Sequence, residues 1–437
     1  MSSIRLEPLS RSKSARTLGP TLQVPGDKSI SHRALVLGSL ATGSTRISNL
    51  LQGHDVVSTQ KCLQSLGVEM SLVQDTWTVK GRGRSGLQAP TGDLDCGNSG
   101  TTLRLLMGVL ARQHFSSTLV GDPSLSRRPM KRIADPLRQM GAAISLTQNE
   151  TAPVTLHATS LLNGINYSLP IASAQLKSAL LLAGLAADGT TDLTGKLASR
   201  DHTERLLKYF GCQLSSDFEG SILTRLSIPG GQSLRGSELS VPGDISSAAF
   251  WLVLATLLPH CRIEIDSVLL NPTRTGLVEV LKKMGAPIKT EVTSWEPEPV
   301  GWIHASHSEL KGIEITAEYI PSLIDELPLI AVLATFAHGT TLVRGAEELR
   351  VKETDRLAAI AQNLRAMGAQ MELFADGFAI HGPQPLHGAT LYSFGDHRIA
   401  MAFSIAAVNA QGPSQIIGSE CVSISYPDFY ETLNSAF

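Results

Sequence analysis

Residues 61–73 read KCLQSLGVEMSLV: an amphipathic helical run ending at Leu66, a glycine at 67, then an alternating strand-like run. The phrase returns as DPLRQMGAAISL (135–146), RLLKYFGCQLSS (205–216), EVLKKMGAPIKT (279–290) and QNLRAMGAQMEL (362–373). Its glycines are Gly67, Gly141, Gly211, Gly285 and Gly368, separated by 74, 70, 74 and 83 residues. A glycine just after the last apolar helical residue predicts a left-handed C-cap, where a missing Cβ matters most. Helix–glycine–strand is common in proteins, but five copies at nearly constant spacing indicate an internal repeat.

A second phrase accompanies the first: a Gly- or Ser-containing turn, a long apolar helix, and a small-residue turn into a β-rich run. It appears as GDKSISHRALVLGSLATGSTRIS, GNSGTTLRLLMGVL, SAQLKSALLLAGLAADGTTDLTG, IDELPLIAVLATFAHGTTLVRG and GDHRIAMAFSIAAVNAQG. VPGDKSISHRALVLGSLA at Val24 is echoed by VPGDISSAAFWLVLATLL at Val241, so the chain looks duplicated. Dividing 437 residues by six gives about 73, which matches the glycine spacing. Six α/β units in two halves follow, with helices apolar nearly all round and therefore packed inside each domain.

Composition agrees with a well-buried protein: 42% hydrophobic and only 17% charged residues exclude a disordered chain or a charged coiled coil. Lys plus Arg number 37 and Asp plus Glu 39, so net charge gives no general attraction to nucleic acid or anionic membrane. The longest apolar run, Ala248 to Leu258, is too short to cross a bilayer and reads as a core helix. No secretory signal is apparent; Arg5, Arg11, Lys13 and Arg16 give only a faint transit-peptide pattern. Five scattered cysteines without metal spacing fit a reduced, cytoplasmic compartment.

Standard nucleotide motifs fail. Gly81-Arg82-Gly83-Arg84-Ser85-Gly86 matches GxGxxG, but Pro90 and Gly92 stand where a helix should open, so a hairpin turn is expected. Gly26-Asp27-Lys28-Ser29 lacks the earlier glycine of a phosphate-binding P-loop. The informative side chains stand at predicted helix N-termini: Lys28, Ser29 and Arg33; Asn98, Gly100, Thr101 and Arg104; Ser173, Gln175 and Lys177. The second half offers Lys352, Glu353 and Arg356 in RVKETDRL, and Asp396, His397 and Arg398 in GDHRIAMAF. Free N–H groups and the helix dipole favour phosphate or carboxylate there, and arginines add bidentate contacts.

Plainer readings compete. Lys352, Glu353 and Arg356 have the spacing of an exposed helical salt bridge, Ser31 that of an ordinary cap, and Lys131-Arg132 that of a solvated charge run. Of the carboxylates before the apolar helix at 327, Glu326 reads as dipole-complementing, whereas Asp325, next to a buried run, would have to be paired or functional if buried.

VPGDKSISHRAL, GNSGTTLR, RRPMKR, SAQLKSALL, NPTR, LRVKETDRL and GDHRIAM, in this order, resemble the motifs of the 3-phosphoshikimate 1-carboxyvinyltransferase (EPSP synthase) family. The combination of SRDHTE at 199–204 with GDKS, SAQLK and NPTR resembles the bacterial subgroup called class II. The resemblance implies an α/β, two-domain enolpyruvyl-transferase fold, an inside-out α/β barrel of six βαβαββ-like repeats. The implied domains are 21–239, and 1–20 with 240–437, closing on substrate in the cleft between them.

The implied activity is transfer of the enolpyruvyl group of phosphoenolpyruvate to the 5-hydroxyl of shikimate 3-phosphate, releasing phosphate, in aromatic amino-acid biosynthesis. No metal or cofactor is called for, nor any nucleic-acid or membrane partner, and the chain is expected to act as a monomer. By motif, Lys28, Ser29, Arg33, Ser173, Gln175, Asp325 and Lys352 should contact shikimate 3-phosphate, with Ser199 and Arg200 on its phosphate side. Phosphoenolpyruvate should meet Lys28, Asn98, Gly100, Arg128, Gln175, Arg356 and Arg398. Asp325 is the expected base, with Glu353 and Lys28 the acid candidates. Glyphosate, a phosphonate, occupies the phosphoenolpyruvate site in this family.

Two positions depart from the pattern of some members: Ser124 stands where they carry Arg, and Ile424 where they carry Lys. More of the phosphate contact therefore falls to Arg128. UDP-N-acetylglucosamine 1-carboxyvinyltransferase shares the fold and donor but usually has a loop cysteine, and GDPSLSRRPMKR has none. RNA 3′-phosphate cyclase, a relative in repeat fold, is disfavoured by the balanced charge. A catalytically dead scaffold is disfavoured by Lys28, Asp325, Glu353, Arg356 and Arg398 together.

Overall fold

The computed structural model describes residues 2–9, 16–17 and 21–435; Arg11 and Lys13 of the basic N-terminal stretch lie outside them. The chain divides into two units, Gly26–Val241 and residues 1–25 with 242–437. The divisions fall at 25/26 and 241/242 rather than at 20/21 and 239/240.

Each unit repeats one sheet pattern. In the Gly26–Val241 unit, Glu238–Ser240 runs parallel to Ser44–Ser48, which pairs antiparallel with Thr76–Lys80, followed by Glu69–Val73. Leu94–Asp95, Ser117–Val120, Val154–Leu156 and Ile144–Ser145 repeat the order, as do Asn166–Leu169, Thr190–Gly195, Ile222–Pro229 and Ser215–Glu219. The other unit has Arg16–Thr17, Cys261–Leu269, Val300–Ser306 and Lys289–Ser294, then Glu314–Ile315, Gly339–Val343, Gly377–Gly382 and Glu372–Phe374. Its third sheet is completed from the chain's other end. Ser3–Leu6 pairs antiparallel with Ser414–Ile417, which lies parallel to Thr390–Tyr392.

The five repeat glycines have positive φ, from 85° at Gly67 to 106° at Gly141. At each, the glycine N–H and the next N–H return to the preceding turn, as Gly67 to Gln64 and Val68 to Leu63 do. This is the paired closure of a Schellman motif, which turns the chain from a surface helix into the next strand.

Among the described residues, three helices form the interior of each unit: Lys28–Leu40, Gly100–Leu110 and Ala174–Ala186 in one, Ile245–Leu257, Leu327–Phe336 and His397–Val408 in the other. Ile245–Leu257 and His397–Val408 are buried at every residue. Side chains of Asp27, Ser99, Ser173, Asp244 and Asp396 cap five of them by accepting N–H bonds of the first turn. Ser31 is therefore not the cap of its helix; its Oγ accepts the Leu51 N–H at 3.1 Å.

The Gly81–Gly86 stretch opens no helix, but neither is it a hairpin turn. It follows strand Thr76–Lys80 as irregular chain, and the next strand, Leu94–Asp95, pairs with Ser117–Val120 instead. A Cβ at Gly81 would stand 2.1 Å from the Ala41 carbonyl oxygen, so close backbone approach explains that glycine.

Candidate active site

In the Gly26–Val241 unit, three helix N-termini bring most of the sequence-selected residues into shared hydrogen bonding. Lys28 begins its helix and pairs with Asp55, Nζ to Oδ2 2.9 Å. The Thr102 hydroxyl lies within hydrogen-bonding distance of both the Asp55 carbonyl (3.3 Å) and Ser99 Oγ (2.7 Å). Lys28 and the turn before Gly100 are thus tied through the residues that flank them.

At the second N-terminus, Asn98 donates to Asp122 (2.7 Å) and accepts from Arg128 (2.7 Å). Arg128 also reaches Ser124 Oγ at 3.3 Å, so the residue standing where some relatives carry arginine helps hold Arg128. Gly100 has no positive φ; a Cβ there would lie 3.0 Å from Arg104 Nη1 and 3.3 Å from Arg128 Nη1. Its lack of a side chain leaves room in front of two guanidiniums. Gln175, from the third N-terminus, accepts from Arg104 at 2.6 Å and donates to Thr101 at 3.1 Å. Arg104, to which the sequence assigns no ligand role, joins Gln175 to the Pro129 carbonyl, at 2.6 and 3.4 Å.

Arg33 is buried. Its Nε donates to Thr203 Oγ (2.6 Å), Nη2 to Ser178 Oγ (2.8 Å) and Nη1 to the Ser29 carbonyl (2.9 Å). Ser173 caps its helix, and Ser199 and half-buried Arg200 precede the His202–Tyr209 helix. Lys177 corrects the sequence expectation. Its ammonium is fully enclosed and bound to protein groups, so it offers nothing to a ligand. Lys131 agrees with the plain reading, exposed and paired with Glu150 and Asp135.

In the second unit the organising residue is Arg356, the first residue of helix Arg356–Ala366, with 1% side-chain exposure. Its Nε donates to Asp396 (2.7 Å), Nη1 to Asp325 (3.1 Å) and Nη2 to Glu353 (2.7 Å). The exposed helical salt bridge is ruled out: Lys352 and Glu353 precede the helix, and the guanidinium is buried among three carboxylates. Burial opposes its charge, but Asp396, Glu353 and Asp325 together hold it firmly protonated. Arg398 Nη2 lies 3.8 Å from Asp325, and Nη1 3.6 Å from Glu326.

Glu326 is more than a dipole-complementing carboxylate. It is buried, caps no N–H with its side chain, and accepts a hydrogen bond from Ser246 Oγ. Burial raises its pKa against the pull of Arg398. Lys352, half-buried, has its pKa lowered, chiefly by burial and further by Arg356, while Asp325, Glu348 and Glu353 oppose the shift. Sequence reasoning assigned no ligand role to Asp396 or Arg274. The first pairs with Arg356, and the second donates to Asp244 (3.1 Å) and Ser246 (3.0 Å). The signal present was the G-D turn at 26–27, 243–244 and 395–396, which repeats before three buried helices.

The two sets suit highly charged small anions: buried or half-buried cations held at helix N-termini, and carboxylates positioned by guanidiniums. The sequence model of the EPSP synthase family (3-phosphoshikimate 1-carboxyvinyltransferase) matches residues 13–433. A 3-phosphoshikimate 1-carboxyvinyltransferase of Bacillus cytotoxicus is 48% identical over 420 residues, 96% of this chain and 98% of its own. The solved EPSP synthase from Acinetobacter baumannii superposes with a TM-score of 0.86 at 41% identity, covering 99% of this chain and 98% of that one. The enolpyruvyl transferase NikO from Streptomyces tendae shares the fold, with a TM-score of 0.76 at 19% identity over 99% of this chain and 96% of its own. With nearly its whole length matched, this chain belongs to the EPSP synthase family.

Proposed function

We infer that the enzyme transfers the enolpyruvyl group of phosphoenolpyruvate to the 5-hydroxyl of shikimate 3-phosphate, giving 5-enolpyruvylshikimate 3-phosphate and phosphate. The observation that carries the chemistry is Arg356 bridging two carboxylates: Asp325 at 3.1 Å and Glu353 at 2.7 Å share one buried guanidinium. Addition needs a base for the 5-hydroxyl and an acid for the vinyl carbon, and elimination reverses the proton traffic. Asp325 serves as the base, with Glu353 and Lys28 as acid candidates. A common guanidinium fixes the spacing of Asp325 and Glu353.

Lys28, Ser29, Arg33, Ser173, Gln175, Ser199, Arg200, Asp325 and Lys352 bind shikimate 3-phosphate in this reading. Lys28, Asn98, Gly100, Arg128, Gln175, Arg356 and Arg398 bind phosphoenolpyruvate. Support comes from the geometry within the Gly26–Val241 unit: Asn98 and Ser124 orient Arg128, and Ser178 and Thr203 orient Arg33. Preorganised cations stabilise the charge that develops in the tetrahedral intermediate.

Among the described residues no helix is long and apolar enough to cross a membrane. The five cysteines are free thiols, four of them buried, which supports a reducing, cytoplasmic setting. Phosphate release from phosphoenolpyruvate, measured with and without shikimate 3-phosphate, tests the function. Release that requires both substrates is expected, and none with the authentic pair would refute the assignment.

A further inference from the structure

We propose that Lys177 is a positioning residue for shikimate 3-phosphate, holding the loop that presents Ser199 and Arg200. This rests on the reading that those two residues meet the phosphate side of that substrate. The Lys177 side chain has 0% exposure, and its Nζ lies 2.7 Å from Glu204 Oε1. It also donates to the Leu197 carbonyl at 3.3 Å and the Ser199 carbonyl at 3.2 Å. Two of the three N–H donors of the ammonium thus go to backbone carbonyls, and Glu204 sits at ion-pair distance.

A buried ion pair is a poor device for stability, because desolvation offsets most of the attraction and a well-packed apolar pair performs as well or better. An apolar pair cannot, however, grip two backbone carbonyls. Lys177 does so on the strand-to-helix connection, where the Ser199 N–H also turns back to the Leu197 carbonyl at 2.7 Å. The neighbouring residues extend the function. Ser178 follows Lys177 and Thr203 precedes Glu204; these two hydroxyls are 2.6 Å apart, and both accept from Arg33. One buried polar cluster thus anchors the 197–200 loop and Arg33, all within the Gly26–Val241 unit.

The test is Lys177→Met combined with Glu204→Leu, which removes the pair without leaving a lone buried charge. Expected are unchanged or raised thermal stability, a rise of about tenfold in KM for shikimate 3-phosphate, and less than about threefold change in kcat and in KM for phosphoenolpyruvate. Adding these changes to Ser199→Ala/Arg200→Gln should then cost nothing more, because both act through one loop. An unchanged KM for shikimate 3-phosphate, equal rises for both substrates, additive losses, or a double variant that fails to fold would each overturn the proposal. Wild-type turnover and the loop variant alone are measured first, so failure of the underlying reading shows separately.

Discussion

Asp396 performs two tasks with one carboxylate: Oδ1 accepts the Arg398 N–H at 2.9 Å, capping the His397–Val408 helix, and Oδ2 holds Arg356 Nε at 2.7 Å. A helix start and a buried guanidinium from another helix are therefore fixed at the same point. Because Arg398 is the second residue of the capped helix, Asp396 sets the position of both arginines assigned to phosphoenolpyruvate.

Asparagine caps about as well as aspartate but carries no charge. Asp396→Asn should therefore raise KM for phosphoenolpyruvate clearly more than KM for shikimate 3-phosphate. Asp396→Ala also removes the cap and should be less stable than Asp396→Asn by about 1 kcal/mol in urea unfolding. Equal stability of the two variants would show that the cap contributes nothing.

Asp325→Asn preserves shape and a hydrogen-bond acceptor for Arg356 while removing the proposed base. Turnover should fall at least about a hundredfold, the scale expected of a positioned acid or base. Binding of shikimate 3-phosphate, followed by calorimetry, should change much less. Collapsed affinity with near-normal turnover at saturation would make Asp325 a binding residue and place the base elsewhere.

The repeats were legible because local rules write them. A left-handed C-cap tolerates glycine best, so Gly67, Gly141, Gly211, Gly285 and Gly368 announce helix ends in the sequence itself. Buried helices announce themselves by being apolar all round, as Ile245–Leu257 is. Partners distant in the chain leave no such mark. Arg356 reads as a surface salt-bridge residue from its spacing to Lys352 and Glu353, yet its closest contacts include Asp396, 40 positions away. Lys177 and Glu326 look like open helix-end charges for the same reason, because burial of a charge depends on which elements pack around it. The Gly81–Gly86 stretch misled differently: Gly81 serves a close backbone approach to Ala41, which no turn pattern encodes.

His32 should make the protein acid-sensitive. Burial, with Lys28 and Arg33 adding to it against Asp27, pushes its pKa well below 6.5. The folded state then resists a proton that the unfolded chain accepts, so the stability is complete above about pH 6.5 and is lost as pH falls toward the depressed folded value. Within that window the loss is about 1.4 kcal/mol per pH unit. His32→Asn retains a partner for Thr59, which His32 Nδ1 meets at 2.7 Å, and removes the titration. Urea unfolding between about pH 5 and 7.5 should show the wild type falling more steeply than this variant. Parallel profiles would assign the acid sensitivity to other groups.

Gly100→Ala tests how the phosphoenolpyruvate site discriminates by size. Gly100 begins its helix without a positive φ, so alanine is allowed by the backbone and is the better helix former. A purely conformational role for this glycine is therefore excluded. The added Cβ would stand 3.0 Å from Arg104 Nη1 and 3.3 Å from Arg128 Nη1, which are ends of flexible side chains that can yield by a few tenths of an ångström. The variant should therefore fold with near wild-type stability while both guanidiniums move away from the turn. Phosphoenolpyruvate, which the proposed function assigns in part to Arg128, should bind somewhat more weakly. Glyphosate is longer than phosphoenolpyruvate and must fit against the new methyl as well, so its rejection is steric in addition. Steady-state kinetics should show the inhibition constant rising far more than KM for phosphoenolpyruvate. Equal increases would mean that displacement of the arginines accounts for the whole effect, and no increase in either would mean that neither ligand approaches Gly100.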